Sequence, residues 1–362
     1  MLISKKLIGI SAAMLFATST IMSGVAYGQN AVTINGAGAT FPFPLIDTWR
    51  VEYQKVKPEV NINYQSIGSG GGVKQFTEKT VDFGASDAPL TQSESQKVPG
   101  TVHIPETIGS VVAAYNIPSI PDKGLKLSGE VIADIFQGKI TKWNDPKIQS
   151  LNSDKSLPGD DIVVVHRSDG SGTTFVWTDY LSSVSPTWKE QIGKGKSIEW
   201  PVGIGAPGNE GVANAIKGTP NTIGYIELSY ALTTNTPFAF IQNREGNFIE
   251  PSLNSTMAAV ESYAASLPKG DGAWTDVTLV NAEGANSYPI ASFSYILLNK
   301  ELSTDPNLDQ AKAKSLVDFI SWAITEGQKF SEALGYVPLP DGVIKLDQET
   351  LKSLTFNGQA LT

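Results

Sequence analysis

The chain contains no cysteine and only two histidines, His103 and His166, among its 362 residues. Disulfides, a thiolate nucleophile, a lipid-carrying cysteine and sulfur-ligated metals are therefore excluded, and two imidazoles are too few for a histidine-rich metal centre. Charge is scarce as well: Asp, Glu, Lys and Arg make up 17% of the residues, against about a quarter in ordinary soluble domains. The net charge of −9 is spread without acidic or basic blocks, so the chain lacks the basic stripe of a nucleic-acid-binding surface. Against these shortages stand 41% hydrophobic residues and enough length for two domains with cores of their own.

The longest apolar stretch lies near the start, from Leu7 to about Met22, after Lys5 and Lys6. Ser and Thr interrupt it too often for a membrane span, and Ala26 and Gly28 supply the small residues expected three and one positions before a cut. Residues 1–28 thus read as a signal peptide, and the mature protein as periplasmic or otherwise extracytoplasmic. Cleavage takes away two lysines and no acid, which brings the net charge to about −11.

The stretch around which the rest is organised runs His166-Arg167-Ser168-Asp169-Gly170-Ser171-Gly172-Thr173-Thr174-Phe175. The apolar run Ile162–Val165 before it predicts a buried strand. Phe175, Val176, Trp177, Tyr180 and Leu181 after it predict a helix that starts in the glycine turn. Such a helix points free N–H groups and the positive end of its dipole into the turn. Ser171 and Thr173 add hydroxyls, and Arg167 adds a planar fork of donors, so the pattern predicts an anion seat.

The same strand, small-residue turn and helix recur earlier. A short strand, 31–34, precedes Asn35–Pro42 and a helix carrying Leu45, Trp49 and Tyr53; Val60–Tyr64 precedes Gly68–Gly72 and a helix carrying Val73 and Phe76. Convergence of the three turns would surround one point with helix N-termini and with Thr40, Ser69, Ser171 and Thr173. Asp82 reads as a solvated or capping carboxylate. Asp87 lies past the apolar part of its segment, where a strand end faces a cleft, or serves as a turn residue.

Farther along, a helix is expected after Ser128, a surface loop at Gly193–Lys196, and a helix over 252–267. Glu227 has no spaced carboxylate or histidine partner and reads as a rim or packing residue. Alternation of strands and helices predicts an α/β protein. Two long apolar strands, one through Ile104–Tyr115 and one beginning at 287, look like crossings between domains. The first lobe is placed at 29–109 plus 286–362, and the second at 110–285, with a hinge pair that lets them close over a ligand.

Four stretches in register carry a resemblance: Gly36-Ala37-Gly38-Ala39-Thr40-Phe41-Pro42, Gly68-Ser69 with Gly71–Gln75, Val81–Asp87, and Arg167–Thr173. Gly208-Asn209 with Gly211, and Ile223-Gly224-Tyr225, extend it. The chain resembles the periplasmic phosphate-binding proteins of the high-affinity phosphate ABC transporters of bacteria and archaea. The resemblance implies a two-lobed periplasmic-binding-protein fold of type II, with the ligand in the cleft between lobes. It also implies a monomer that needs no cofactor or metal, is not an enzyme, and delivers inorganic phosphate to membrane permease subunits.

By the same resemblance, the phosphate ligands are the hydroxyl of Thr40, the backbone N–H of Phe41, the hydroxyl of Ser69, the carboxylate of Asp87 and the guanidinium of Arg167. The hydroxyl of Ser171, the N–H of Gly172, and the hydroxyl and N–H of Thr173 complete the set, and Asp169 is the carboxylate partner of the arginine. Two other functions remain open at this point. One is binding of another tetrahedral oxyanion, sulfate or molybdate; the other is a secreted phosphate-ester hydrolase, for which Ser171 and Thr173 lack an identifiable base.

Overall fold

The computed structural model describes residues 31–261, 263 and 267–361, so the expected signal segment lies outside the described residues. Strand β1, Val32–Gly38, runs four residues beyond the sequence expectation, through the glycines that read as a turn. Those glycines are there for close approach. A Cβ added to Gly36 would lie 2.1 Å from Cζ of the Phe83 ring, and one added to Gly72 would lie 2.8 Å from the carbonyl oxygen of Ala85.

Helix α1 is Phe43–Val56, with Pro42 at its N-cap and Leu45, Ile46, Trp49 and Tyr53 buried. Then come β2, Val60–Ser66; α2, Ser69–Thr77; and β3, Phe83–Ser86. The long strand β4, Thr101–Asn116, is followed by α3, Gly129–Phe136, whose N-cap Ser128 accepts from Val131 N–H as its sequence predicts. Next are β5, Val163–Arg167; α4, Gly172–Val184; β6, Ile204–Ala206; and α5, Gly208–Gly218. Strand β7, Thr222–Glu227, leads directly into α6, Leu228–Thr234; β8 is Ile290–Asn299 and α7 is Gln310–Ala323.

The main sheet is mixed, in the order β2-β1-β3-β8-β4-β7-β5-β6. Strands β2, β1 and β3 are parallel, as expected of strands joined by helical crossovers, and so are β7, β5 and β6. Between them, β4 changes partner part-way. Its residues Thr101–Ser110 pair antiparallel with β8, and Val111–Asn116 pair antiparallel with β7. Strand β8 in turn lies antiparallel to β3. From Ala31 onward the chain holds together as one compact unit.

Three local expectations need correction. Asp82 is buried, with its carboxylate 2.7 Å from Asn35 N and 2.7 Å from Lys312 Nζ, so it ties β1 to α7 and is not solvated. The loop at Gly193–Lys196 is no mere surface loop: the Lys196 carbonyl accepts from Ser171 N–H at 2.8 Å and its ammonium meets Glu94 at 2.6 Å. The helix expected over 252–267 is described as Leu253–Glu261, and residues 262 and 264–266 lie outside the described set.

Candidate functional site

Each helix start in the parallel parts of the sheet follows a strand end, and the first turns of α2, α4 and α5 meet the Thr40 turn ahead of α1. Gly70 N–H donates to Gly170 O at 2.8 Å, joining the start of α2 to the turn before α4. A Cβ added to Gly172 would stand 2.5 Å from both Asp87 Oδ2 and Ser69 Oγ, so only a glycine lets these groups close on one another. Asn209, in the first turn of α5, donates from Nδ2 to Thr40 Oγ1 at 2.8 Å and to Thr173 Oγ1 at 3.1 Å. Ser69 Oγ accepts from Asp87 N–H at 3.2 Å. The turns expected to converge are brought together here.

Gly68, at the N-cap of α2, has φ of +83°, and a side chain there would also strike the Arg167–Asp169 pair. That pair is bidentate: Arg167 Nε reaches Asp169 Oδ1 at 2.7 Å and Nη2 reaches Oδ2 at 2.5 Å. Asp169 Oδ1 also accepts from Gly208 N–H at 3.0 Å, which fixes the fork against α5. Arg167 Nη1 is buried and has no hydrogen-bond partner in the protein, so one donor of the guanidinium is left for a ligand.

Solvent is kept from the whole set. Thr40, Phe41, Ser69, Asp87, Arg167, Ser171 and Thr173 are each 3% exposed or less. Burial works against the charge of Arg167, but Asp169 offsets it and holds the guanidinium above its ordinary pKa. Asp169, itself partly buried, is held below the usual carboxylate range by Arg167 and the Gly208 N–H. Burial pushes the Asp87 carboxyl up to about 7, while Ser294, Arg167 and Ser69 pull the other way.

Several neighbours were not legible as site residues. Ser294 on β8 donates to Asp87 Oδ1 at 2.9 Å and lies 3.0 Å from Glu106 Oε1. Tyr225 on β7 accepts from Arg167 N–H at 3.1 Å and sits 2.6 Å from Thr174 Oγ1. Asn209 stands at a helix start beside a glycine, as Ser69 and Ser171 do, but it carries an amide where the sequence signal was a hydroxyl. Glu227 is fully buried and caps α6, its Oε2 accepting from Ser229 N–H at 2.8 Å.

The hydroxyls show no arrangement for nucleophilic attack. Ser171 Oγ accepts from Thr174 N–H at 3.0 Å as a helix cap, and Thr173 Oγ1 is held by Asn209. His166 stacks on Trp200, with ring centroids 4.8 Å apart. Among the described residues, no three His, Asp or Glu side chains gather as a metal site, and no helix is long and apolar enough to cross a membrane.

Comparison with known proteins decides the family. Residues 24–326 match the model of the PBP superfamily domain. The phosphate-binding protein PstS of Pasteurella multocida is 46% identical over 92% of this chain and 94% of its own length. That of Haemophilus influenzae is 45% identical over 89% and 92%. The chain belongs to the PstS family of phosphate-binding proteins. A solved phosphate-binding protein from Stenotrophomonas maltophilia shares its α/β periplasmic-binding-protein fold, with a TM-score of 0.64 at 19% identity over 89% of this chain and 94% of that one.

Membership of the PstS family gives the donor set a ligand of the right shape. A tetrahedral oxyanion offers acceptor oxygens in four directions. The site presents helix N-termini, hydroxyls and one guanidinium from four segments of chain, with the Asp87 carboxyl among them and Asp169 behind the guanidinium.

Proposed function

We propose that this chain captures inorganic phosphate outside the cytoplasmic membrane and hands it to the permease subunits of a phosphate ABC transporter, without changing it chemically. The observation that carries the reading is Asp87, a buried carboxyl set among anion donors and beside Arg167. Near neutral pH phosphate still carries a proton and sulfate carries none. An ionised Asp87 accepts that proton's hydrogen bond from phosphate, whereas sulfate meets it with lone pairs and like charge in a dry site. A penalty of several kcal/mol corresponds to roughly a thousandfold preference.

In this reading Thr40, Phe41, Ser69, Ser171, Gly172 and Thr173 supply uncharged donors, Arg167 supplies the counter-charge, and Asp169 orients it. The change of partner in β4 at Ser110 supports a division into lobes at 29–109 plus 286–362 and 110–285, with β4 and the segment entering β8 as crossings. Binding then shifts the molecule toward the closed shape that a permease recognises. The family's name and the N-terminal signal pattern support an exported binding protein.

Calorimetric titration of the purified mature protein with phosphate and, separately, with sulfate tests the reading. Tight phosphate binding with sulfate weaker by about a hundredfold or more is expected. Equal affinities would reject Asp87 as the discriminator, and turnover of phosphate esters would reject a binding role.

A further inference from the structure

We infer that Glu106 is a positioning residue for the anion site: it holds a proton, donates it to Ser294 in a hydrogen bond, and so turns the Ser294 hydroxyl hydrogen toward Asp87. The inference rests on the reading of Asp87 as acceptor of the ligand's proton.

Glu106 is placed by an irregularity in the sheet. The ladder between β4 and β8 pairs Thr107 with Ser294 and Pro105 with Tyr295, so it skips Glu106. A residue left out of a ladder is re-aimed; the Glu106 carbonyl is taken up instead by Gln328 Nε2 at 3.0 Å. Its side chain is fully buried, with Oε1 3.0 Å from Ser294 Oγ, and Ser294 Oγ is 2.9 Å from Asp87 Oδ1. Three oxygens of three residues thus form a line that ends in the anion site.

A serine hydroxyl has one hydrogen and cannot donate to two carboxylates at once. Were Glu106 and Asp87 both ionised, one of the two contacts would set lone pair against lone pair, beside two like charges out of reach of water. A second hydrogen has to come from one of the acids. Glu106 is the one without support for a charge. Its Oε2 is buried and has no hydrogen-bond partner, which is tolerable for a neutral carbonyl oxygen and costly for a carboxylate.

The groups facing the pair give the same answer. Tyr64 on β2, Tyr295 on β8 and Glu227 on β7 bring no positive charge. The cation is Arg167 on β5, and it acts on Asp87 together with the Ser69 hydroxyl. Burial pushes Glu106 up to about 8, with the Ser294 bond drawing it back and Asp87 adding to the rise, while Asp87 itself goes up to about 7. With Arg167 and Ser69 beside it, Asp87 is the better-supported anion of the pair, and Glu106 is the one that keeps its proton. The relay Glu106–Ser294–Asp87 then holds the acceptor ionised and aimed, which is the state that distinguishes phosphate from sulfate.

The test is calorimetric titration with inorganic phosphate at about pH 8.5, in two buffers of different ionisation enthalpy, for the unsubstituted protein and Glu106→Gln. At that pH free phosphate is already a dianion, so any proton taken up on binding goes to a group of the site, and comparison of the two proteins assigns it. A bound dianion favours the protonated form of Glu106. The unsubstituted protein is therefore expected to take up protons on binding, and its affinity to fall toward tenfold per pH unit above about 8. Glu106→Gln donates the same bond from an amide that does not titrate, and should lose that uptake and flatten that limb.

Coincident uptake and pH profiles for the two proteins would overturn the inference and point to Asp87 or Glu227 as the titrating group. A second measurement needs no variant: the carbon NMR shift of the Glu106 carboxyl in the unsubstituted protein. A neutral carboxyl at pH 7 that titrates near 8 supports the relay, and an ionised one at pH 7 overturns it. Failure of the unsubstituted protein to bind phosphate would instead overturn the proposed function, with the NMR shift still deciding where the proton sits.

Discussion

Arg167 and Asp87 share one buried site, and in the proposed function they act on different properties of the ligand. Arg167 attracts any tetrahedral oxyanion, so Arg167→Ala should weaken phosphate and sulfate alike, each by about a hundredfold or more, because Asp87 is then left without its counter-charge. Titration with both anions checks this, and unchanged phosphate affinity would remove Arg167 from the site. In the same reading Asp87 governs choice, and its choice depends on pH. Burial raises its carboxyl to about 7, so the ionised form that repels sulfate gains as pH rises through that value and is lost as pH falls. The preference for phosphate should therefore widen between about pH 6 and pH 8 in competition titrations, and a preference that narrows over that range would contradict the role.

At the scale of elements, the starts of helices were legible in the sequence, because a hydroxyl among glycines after a β-branched run has few other uses. The course of β1 was not. Gly36, Ala37 and Gly38 have the composition of a turn, yet they are strand, kept small so that Phe83 and α2 can lie against them. Gly72→Ala should force α2 from β1 and β3 and cost about 1–3 kcal/mol in denaturant unfolding, with a neutral result arguing that the contact can relax. The turn from β7 into α6 makes a second prediction. Burial raises Glu227 from an ordinary 4.5 to about 8, with Ser229 pulling it down. A raised carboxyl stabilises the fold fully below about pH 4.5, and that contribution is lost as pH rises toward 8. Glu227→Gln should therefore lose less stability than the unsubstituted protein between about pH 5 and pH 8, measured by thermal unfolding. Equal slopes would mean that Glu227 is ionised in the fold.

Across the whole molecule, what the sequence could not disclose is the set of neighbours made by long-range register. Ser294 sits in a strand whose alternation predicts only burial, and Glu106 reaches it because the ladder skips one residue; neither fact has a local signature. The ion pair of Lys196 with Glu94 is of the same kind. It joins residues on opposite sides of the proposed lobe division at 2.6 Å, with both side chains largely shielded. If it holds the closed shape, Lys196→Ala should speed phosphate release by about threefold to tenfold in stopped-flow displacement, and an unchanged release rate would confine the pair to local packing. The central claim is that an acidic side chain makes the protein demand a protonated anion, and Asp87→Asn tests it most directly. The ratio of phosphate to sulfate affinity should collapse by about a hundredfold, because the amide no longer repels sulfate, while the fold is retained. A ratio equal to that of the unsubstituted protein would contradict the account.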